Sequence, residues 1–300
     1  MVKFPKPLQP GDRIAIVSPA GIPDAESVQA AAQILRQQGW DPYIAPHALG
    51  RSGSYSGTIE ERYSDLADAL ADPSVRAILC SRGGYGVVHL MQRLKQLPIA
   101  DDPKWVIGFS DISALHALMN SKGVASVHGS MASHIKLGPD DPDNAMFFSI
   151  MRGERPSFSF PSSPLDRPGL AEGILTGGNL AVLADLMGTE FDMIRPDTIL
   201  FIEDVSEPIY KIERILYQMR LTGVLGRLRG LMVGQFTEYK GDANYKTMED
   251  MIHAMVAPYS YPVAFNVPIG HVFHNVPVIE GARVTLKVTS TDTNHLIYWQ

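Results

Sequence analysis

Two patterns of apolar residues alternate along the first part of the chain. Short, continuously apolar runs are typical of buried strands, whereas apolar residues that recur every three or four positions are typical of helices packed by one face. The predicted strands are residues 13–17, 75–80 and 105–107, and the predicted helices are residues 25–38, 58–71, 87–97 and 112–121. Because strands and helices alternate, the sequence predicts βαβ units and a mostly parallel sheet covered by helices on both faces.

The pattern changes after this region. Residues 154–170 are rich in proline and serine and have no apolar periodicity, so we interpret them as a linker. Beyond it, the sequence predicts a glycine-rich turn at 176–179, helices at 180–187 and after Pro208, and strands at 198–202, 231–235, 263–268 and 283–288. The fold class is therefore α/β, with a parallel-sheet domain at residues 1–153 and a smaller, β-rich domain at residues 171–300.

Composition and charge exclude several classes of protein. Of the 300 residues, 45% are apolar, which is enough for sizeable cores. The net charge of -6 is dispersed, so we expect no nucleic-acid partner. We also expect no membrane partner and a cytoplasmic location, because no apolar run approaches the roughly 20 residues of a membrane span and prolines interrupt the first apolar stretch. The single cysteine, Cys80, lies in a predicted strand, where packing is its expected role.

A serine stands where a predicted strand runs directly into a predicted helix, in the stretch KWVIGFSDISALH. One interpretation makes Ser110 a nucleophile, because such a turn exposes its side chain and the free N–H groups of the helix can stabilise an oxyanion. The other makes Ser110 an ordinary helix N-cap, with Asp111 at the positive end of the helix. The sequence G-F-S-D-I lacks the second glycine of G-x-S-x-G, so an ordinary α/β-hydrolase is not predicted.

A serine nucleophile needs a base, and the base needs an orienting acid. His271 is the candidate base, because it ends the apolar run VAFNVPIGH where a strand gives way to a loop. Glu203 is the candidate acid, because it is the first charge after an apolar run, while Asp204 and Glu207 suit the first turn of the following helix. His274 makes an H-x-x-H pair with His271, but no zincin motif accompanies it, so we predict no metal.

The glycine-rich stretch SRGGYG, residues 81–86, also follows a predicted strand. A phosphate site would fit such a turn, but the glycines do not match G-x-G-x-x-G and no acid follows at the expected distance, so we predict no cofactor. The glycines instead let a backbone N–H approach a substrate closely, as a second oxyanion donor requires. Two other classes stay open: a noncatalytic binding domain, and a glutaminase-like amidotransferase, which would need a cysteine where Ser110 stands.

Six motifs occur in the order in which LD-carboxypeptidases have them: GDRIAIVSPAG, SRGGYG, IGFSDISALH, TGGNL, LFIEDVSEPIYKIERIL and NVPIGH. Over nearly its whole length the chain therefore resembles this family, the serine peptidases of murein recycling. The resemblance implies a catalytic triad of Ser110, Glu203 and His271, with an oxyanion hole formed by the backbone N–H groups of Gly84 and Asp111. It also implies an N-terminal domain similar to class I glutamine amidotransferases, and a homodimer.

The reaction implied by the resemblance releases the terminal D-alanine from a murein tetrapeptide by cutting an L,D-peptide bond. Candidate residues for binding the terminal carboxylate are Arg82, Asn179 and His128, because they lie in loops that carry the motifs. Microcin C immunity peptidases resemble the same pattern, but they cleave aminoacyl-nucleotide conjugates and need an aromatic surface for the nucleobase. Residues 187–198 contain Phe191 as their only aromatic residue, which favours the murein peptide.

Overall fold

The computed structural model describes residues 2–299, which divide into two compact units. Unit 1 comprises the described residues up to Glu154 together with Val276–Glu280, and unit 2 comprises Arg155–Asn275 and the described residues from Gly281 onward. Each unit is built on one sheet with accompanying helices, so the chain has a mixed α/β fold. None of the helices within residues 2–299 has the length and apolar content needed to cross a membrane.

The sheet of unit 1 consists of parallel strands with one antiparallel strand at its edge. In chain order the strands are β1 (Arg13–Val17), β2 (Asp41–Ile44), β3 (Val75–Cys80), β4 (Trp105–Gly108), β5 (Ser126–His128) and β11 (Val278–Glu280). They lie in the order β11-β5-β4-β3-β1-β2, with β11 antiparallel to β5. The residues of β3 and β4 are almost all buried, as expected for parallel strands covered on both faces. The parallel strands end at one edge of the sheet, where α/β proteins gather their chemistry.

The two long helices at the start of unit 1 begin after residues whose side chains cap them. The helices are α1 (Ala25–Gln37), α2 (Ile59–Ala71), α3 (Met91–Leu94), α4 (Ser113–Ser121), α5 (Ala132–Ile135) and α6 (Pro142–Met151). Asp24 caps α1 by accepting a hydrogen bond from the N–H of Ser27. Thr58 and Glu61 form a capping box at the start of α2. These caps place both helix starts within one residue of the predicted positions.

The predicted helix at residues 87–97 is wrong in length. The structure has a single 3-10 turn at Val87–His89, and α3 that follows it has four residues. The helix is interrupted at Leu90, whose N–H bonds to the carbonyl oxygen of Val87 three residues back, as in a 3-10 turn. At the other end, Pro98 disfavours helical geometry at Leu97.

The sheet of unit 2 has seven strands, part parallel and part antiparallel. The strands are β6 (Phe158–Pro161), β7 (Gly169–Asn179), β8 (Thr198–Val205), β9 (Gly230–Thr237), β10 (Val263–Ala264), β12 (Arg283–Val288) and β13 (Thr293–Tyr298), and the helices are α7 (Leu180–Leu186), α8 (Ile209–Leu221) and α9 (Met248–Val256). The strand order is β10-β9-β8-β7-β12-β13-β6. Strands β7 to β10 pair in parallel, whereas β12, β13 and β6 pair antiparallel.

The predicted linker at residues 154–170 contains regular structure. From Arg155 onward the chain belongs to unit 2, and β6 lies inside the predicted linker, where it pairs with β13. Two apolar positions, Phe158 and Phe160, are too few to show an alternation among the neighbouring prolines. The sequence pattern therefore does not predict this strand.

Two further predictions for unit 2 are wrong because they did not take account of the local backbone geometry. The glycine-rich turn at 176–179 is the end of β7, and a Cβ at Gly177 would clash with the carbonyl oxygen of Phe201 on β8. Glycine is therefore required there for close strand packing, not for a turn. The predicted strand at 263–268 is limited to β10, because Asn266 has a φ of 56° and interrupts the extended backbone.

Candidate active site

Ser110 occupies a strained backbone position after β4. Its φ is 66°, in the left-handed region that residues other than glycine rarely adopt. A 3-10 turn over Ser110–Ile112 leads into α4, and the cap position of this turn belongs to Phe109, with no side-chain capping bond. The structure thus does not support the N-cap interpretation of Ser110. Strain of this kind persists where the surrounding structure enforces it, and it is concentrated at functional sites.

The glycine loop after β3 lies directly against Ser110. A Cβ placed on Gly83 would lie 2.7 Å from the Cβ and 3.0 Å from the Oγ of Ser110, so only glycine fits there. The next residue, Gly84, has a φ of 122°, and its own Cβ would lie 3.1 Å from the backbone of Gly21. The loop therefore passes the serine with its backbone, which is the arrangement that an N–H donor to an oxyanion needs.

Two buried charged side chains fix this loop. The carboxylate of Asp111 accepts a hydrogen bond of 3.0 Å from the N–H of Val87, immediately after the loop. Burial raises the pKa of Asp111 to about 6, although that hydrogen bond and the charge of Arg62 oppose the rise. Arg62 is 2% exposed and donates to the carbonyl oxygens of Gly86 and Pro19. The sequence does not indicate either role, because both depend on tertiary contacts.

The carbonyl group that precedes the strained turn is also fixed. His116 on α4 lies 2.8 Å through Nε2 from the carbonyl oxygen of Gly108 and 2.9 Å through Nδ1 from Oγ of Ser126. Burial lowers the pKa of His116 to about 4, so the ring is neutral and donates to Gly108 from Nε2. His116 is therefore a buried core residue whose two ring nitrogens both have hydrogen-bond partners.

Unit 2 contains a buried carboxylate paired with a histidine. Glu203 lies within β8, not after it as predicted, and its side chain is 0% exposed. Its Oε2 lies 2.7 Å from Nδ1 of His271, whose side chain is 21% exposed. Since a carboxylate only accepts, Nδ1 carries the proton and Nε2 is left as the basic nitrogen. A Cβ at Gly270 would lie 3.0 Å from the Cβ of Glu203, so glycine gives this pair its close approach.

The pKa of His271 lies above its ordinary value. Burial alone would lower the pKa, but the hydrogen bond to Glu203 and the charges of Glu203, Asp204 and Glu238 outweigh burial. A raised pKa means that the site stabilises the imidazolium form of the ring. This is the form that a general base acquires during catalysis.

The candidate carboxylate-binding residues have different surroundings. Asn179 caps α7 by accepting from the N–H of Val182, and it donates a 2.8 Å hydrogen bond to Asp204. His128 is 0% exposed, with its ring packed near that of Phe109. Those structural contacts argue against substrate binding by Asn179 and His128. Arg82 is exposed and lines a cavity. A substrate contact stays a prediction for all three.

The predicted site residues fall into two groups. Unit 1 holds Ser110 with the glycine loop, and unit 2 holds Glu203 and His271 in direct contact. The first group has a serine in a strained turn, and the second has a carboxylate in contact with a histidine.

Two family models match the chain. The model described as the LD-carboxypeptidase N-terminal domain matches residues 14–129, and the model described as the LD-carboxypeptidase C-terminal domain matches residues 172–286. The two matches include Ser110 in the first case and Glu203 and His271 in the second.

Related sequences align over almost the whole chain. A putative carboxypeptidase of Synechocystis sp. is 34% identical over 94% of this chain and 93% of its own length. A murein tetrapeptide carboxypeptidase of Pseudomonas aeruginosa is 30% identical over 92% of this chain and 96% of its own length.

Solved structures share the fold and support the same assignment. The muramoyltetrapeptide carboxypeptidase from Oxalobacter formigenes has a TM-score of 0.85 and 27% identity, over 96% of this chain and 99% of its own. The microcin C7 self immunity protein MccF, in complex with aspartyl sulfamoyl adenosine, has a TM-score of 0.86 over 100% of this chain and 99% of its own; at 20% identity it shows the fold alone. From the matched domains and the aligned relatives, the chain belongs to the LD-carboxypeptidase family.

Proposed function

We propose that this protein is a serine carboxypeptidase that hydrolyses the L,D-peptide bond before the terminal D-alanine of murein tetrapeptides. The observation that carries the proposal is the strained Ser110, held against a glycine loop where a side chain would not fit. The hydrogen bond between Glu203 and His271 supplies the acid and base that a serine nucleophile requires. The murein substrate is supported by the name of the Pseudomonas aeruginosa relative.

In the proposed mechanism, Oγ of Ser110 attacks the carbonyl carbon of the third residue while Nε2 of His271 takes the hydroxyl proton. The backbone N–H groups of Gly84 and Asp111 stabilise the tetrahedral oxyanion. Collapse of this intermediate breaks the C–N bond, and His271 gives its proton to the departing D-alanine amine. Water then attacks the acyl-enzyme, passes a proton to His271, and releases the tripeptide as Ser110 regains its hydrogen.

Glu203 has a positioning role in this mechanism. It fixes the tautomer of His271 that presents Nε2, and its charge stabilises the imidazolium that forms when the serine proton is taken. A noncatalytic binding domain would gain nothing from this pair or from strain at Ser110, which is why we favour an enzyme.

The alternative substrate, an aminoacyl-nucleotide conjugate, is less well supported. A nucleobase needs an exposed aromatic surface, but Phe191, the only aromatic residue in 187–198, is 5% exposed. The likeness to MccF at 20% identity concerns the fold, and it carries no substrate assignment.

Three further properties follow from the family resemblance. We propose that unit 1 is similar to class I glutamine amidotransferases, that the protein forms a homodimer, and that it acts in the cytoplasm on recycled peptides. Light scattering coupled to size-exclusion chromatography tests the homodimer directly.

The test of function is an assay in which mass spectrometry measures the release of D-alanine from L-Ala-γ-D-Glu-meso-diaminopimelate-D-Ala. We expect the wild type to release D-alanine and Ser110→Ala to have a kcat lower by a factor on the order of 10⁶. We expect the wild type to release no alanine from the same peptide ending in L-alanine. Unchanged turnover by Ser110→Ala would overturn the mechanism. Failure of the folded wild type to release D-alanine would overturn the substrate assignment.

A further inference from the structure

A cavity of about 710 Å³ lies in unit 2, at the edge of the sheet where β7, β9 and β10 begin. Its lining comes from the first residues of β7, from the segments that precede β9 and β10, and from the first residue of β12. The volume lies within the range of about 300–1,000 Å³ that small-molecule sites have. The proposed mechanism uses no residue of this lining.

The cavity is separate from the pair formed by Glu203 and His271. The N–H of Arg229, a lining residue, donates a hydrogen bond to the carbonyl oxygen of Thr198, the first residue of β8. Glu203 lies five residues further along the same strand, which is about 16 Å at the usual rise of a strand. A ligand in this cavity would therefore occupy a second site, towards the opposite end of β8.

The charged residues of the lining are two arginines and one glutamate. Nη2 of Arg283 lies 3.8 Å from Oε2 of Glu172, and its guanidinium carbon lies 4.6 Å from the ring centroid of Trp299. The side chain of Arg229 is exposed and has no hydrogen-bond acceptor among residues 2–299. Glu172 compensates one of the two cations, so the lining keeps a positive charge in a chain whose net charge is -6. Such a lining attracts an anion.

Two further arginines lie close to the lining. Arg167 and Arg220 donate hydrogen bonds to carbonyl oxygens at the end of α9. Burial raises the pKa of Tyr261, a lining residue, while the charges of Arg167 and Arg220 oppose the rise. Both guanidinium groups therefore act on the tyrosine electrostatically, and they add to the positive potential of the cavity.

The tyrosines of the lining form a flat aromatic surface. The rings of Tyr259 and Tyr261 have their centroids 5.6 Å apart and their planes within 12° of each other. Both side chains are half-buried, and each ring is held by its neighbour. A planar ring can extend such a stack. Because the two tyrosines are already ordered, extending the stack costs little side-chain entropy.

We propose that this cavity is a second ligand site, which binds a small planar ring that carries an anionic group. Arg229 and Arg283 donate to the anionic oxygens, and the ring extends the stack of Tyr259 and Tyr261. A carboxylate and a phosphate ester present the same kind of oxygen acceptor to a guanidinium, so the site accepts either. An inorganic ion lacks the ring, and a neutral aromatic molecule lacks the charge. The proposal does not depend on the carboxypeptidase activity.

The chain contains a reporter for this site. Of its three tryptophans, Trp299 belongs to unit 2 and packs on Arg283, whereas Trp40 and Trp105 are buried in unit 1. An NMR titration follows the three indole N–H resonances of the full chain, and Trp299→Phe assigns the resonance of the reporter. The probes are phenyl phosphate and benzoate, with benzyl alcohol and inorganic phosphate as the molecules that lack the charge or the ring.

We expect an aromatic anion to shift the resonance of Trp299 in a saturable way and to leave those of Trp40 and Trp105 in place. Its dissociation constant should be at least about 10-fold lower than that of benzyl alcohol or inorganic phosphate, because each of these makes one of the two contacts. Tighter binding of phenyl phosphate would identify a phosphate ester as the preferred ligand, and tighter binding of benzoate would identify a carboxylate.

Two variants test the two contacts. Arg229→Gln should weaken binding of the aromatic anion by about 10- to 100-fold, the effect of losing one charge-assisted hydrogen bond. Tyr259→Leu keeps an apolar side chain but removes the stack, and it should weaken binding by up to about 10-fold. The matched control is Arg227→Gln, which removes an exposed arginine two residues before Arg229 and outside the lining. We expect it to keep the wild-type affinity.

Three results would overturn the proposal. One is the absence of a saturable shift of Trp299 with either aromatic anion up to about 10 mM. Another is inorganic phosphate that binds as tightly as phenyl phosphate, which would mean that the ring makes no contact. The third is an equal loss of affinity in Arg227→Gln and Arg229→Gln, which would mean that the general surface charge attracts the anion. Unliganded indole resonances at their wild-type positions show that each variant is folded.

Discussion

At the scale of single residues, the site depends on one backbone angle. Ser110 has a φ of 66°, and for an L-residue this left-handed conformation costs about 1–2 kcal/mol. The contact of Ser110 with Gly83 and the fixed carbonyl of Gly108 hold the turn in place. Stability has therefore been lost at this residue, as is found where a strained backbone serves a function.

We predict that the free energy of unfolding of Ser110→Gly is about 1 kcal/mol higher than that of Ser110→Ala. Glycine adopts a φ of 66° without strain, whereas alanine keeps the strain of serine, and both variants lack the hydroxyl. Urea unfolding of both variants and the wild type measures the difference. Equal stabilities for the two variants would contradict a strained turn.

A second residue-scale prediction concerns the pH dependence of activity. His271 acts as a base only when neutral, and its pKa is raised, so kcat/KM should fall as the pH drops through a value above 6.5, the ordinary pKa of histidine. Glu203→Gln removes the charge that raises the pKa. We therefore expect the acidic limb of the variant to move to lower pH, with kcat reduced on the order of 10⁴.

The measurement is the pH profile of kcat/KM for D-alanine release. Glu172→Gln, an exposed change on β7, serves as the control and should keep the wild-type limb. If the acidic limb of Glu203→Gln lay at the same pH as that of the wild type, the group that titrates in this limb would not be His271.

At the scale of elements, two neighbouring strands each supply one part of the proposed nucleophile site. The glycine loop follows β3, the serine turn follows β4, and Asp111 ties the turn to the loop through Val87. Asp111 would thus serve twice, with its N–H as an oxyanion donor and its carboxylate as the link to the second donor.

We predict that Asp111→Ala lowers kcat for D-alanine release by about 10²–10³-fold with a small change in KM, because the donor from the loop is no longer held in position. Asp111→Asn keeps an oxygen that accepts from the N–H of Val87 and should retain most of the activity. Steady-state kinetics of both variants provide the test. A loss of the same size in Asp111→Asn would show that the charge matters and the link does not.

Elements were predictable from sequence where one local signal decides them. The apolar runs of β1 and β3 and the strand-like run of β12 predicted strands with the bounds that the structure has. The starts of α1 and α2 were predicted to within one residue, and the structure shows Asp24 and Thr58 capping them. Glycines were ambiguous, because a turn and a tight strand contact require the same residue. Gly177 belongs to the second class, which only the opposing Phe201 reveals.

The site was predictable to a similar extent. The strand-to-helix junction led to Ser110, and the ends of apolar runs led to Glu203 and His271. The structure shows Glu203 and His271 in contact, and the catalytic roles of all three residues stay predictions. The contributions of Arg62 and of the Asp111 carboxylate could not be predicted, since Gly86 and Val87, the residues that they hold at the glycine loop, lie 24 residues away in the chain.

At the scale of the whole molecule, unit 1 is completed by residues from late in the chain. Val278 and Ile279 of β11 are 0% and 1% exposed and pair with β5, more than a hundred residues after the rest of unit 1 ends. Burial of two such side chains stabilises a fold by roughly 1.5–3 kcal/mol each.

We predict that a chain ending at Glu154 is destabilised and self-associates, because β5 becomes an exposed edge strand. The matched control is the same chain with residues 275–281 attached through a flexible linker, which restores β11. Urea midpoints and light scattering compare the two. Equal midpoints would contradict a stabilising role for β11.

The return of the chain to unit 1 has a genetic consequence. The chain passes between the two units at residues 154/155, 275/276 and 280/281, so neither unit is encoded by one uninterrupted piece of the gene. A single recombination event between two members of the family cannot exchange unit 2 alone, because it also replaces β11 of unit 1 or splits unit 2. An exchange of unit 2 alone therefore needs crossovers at all three of these passages.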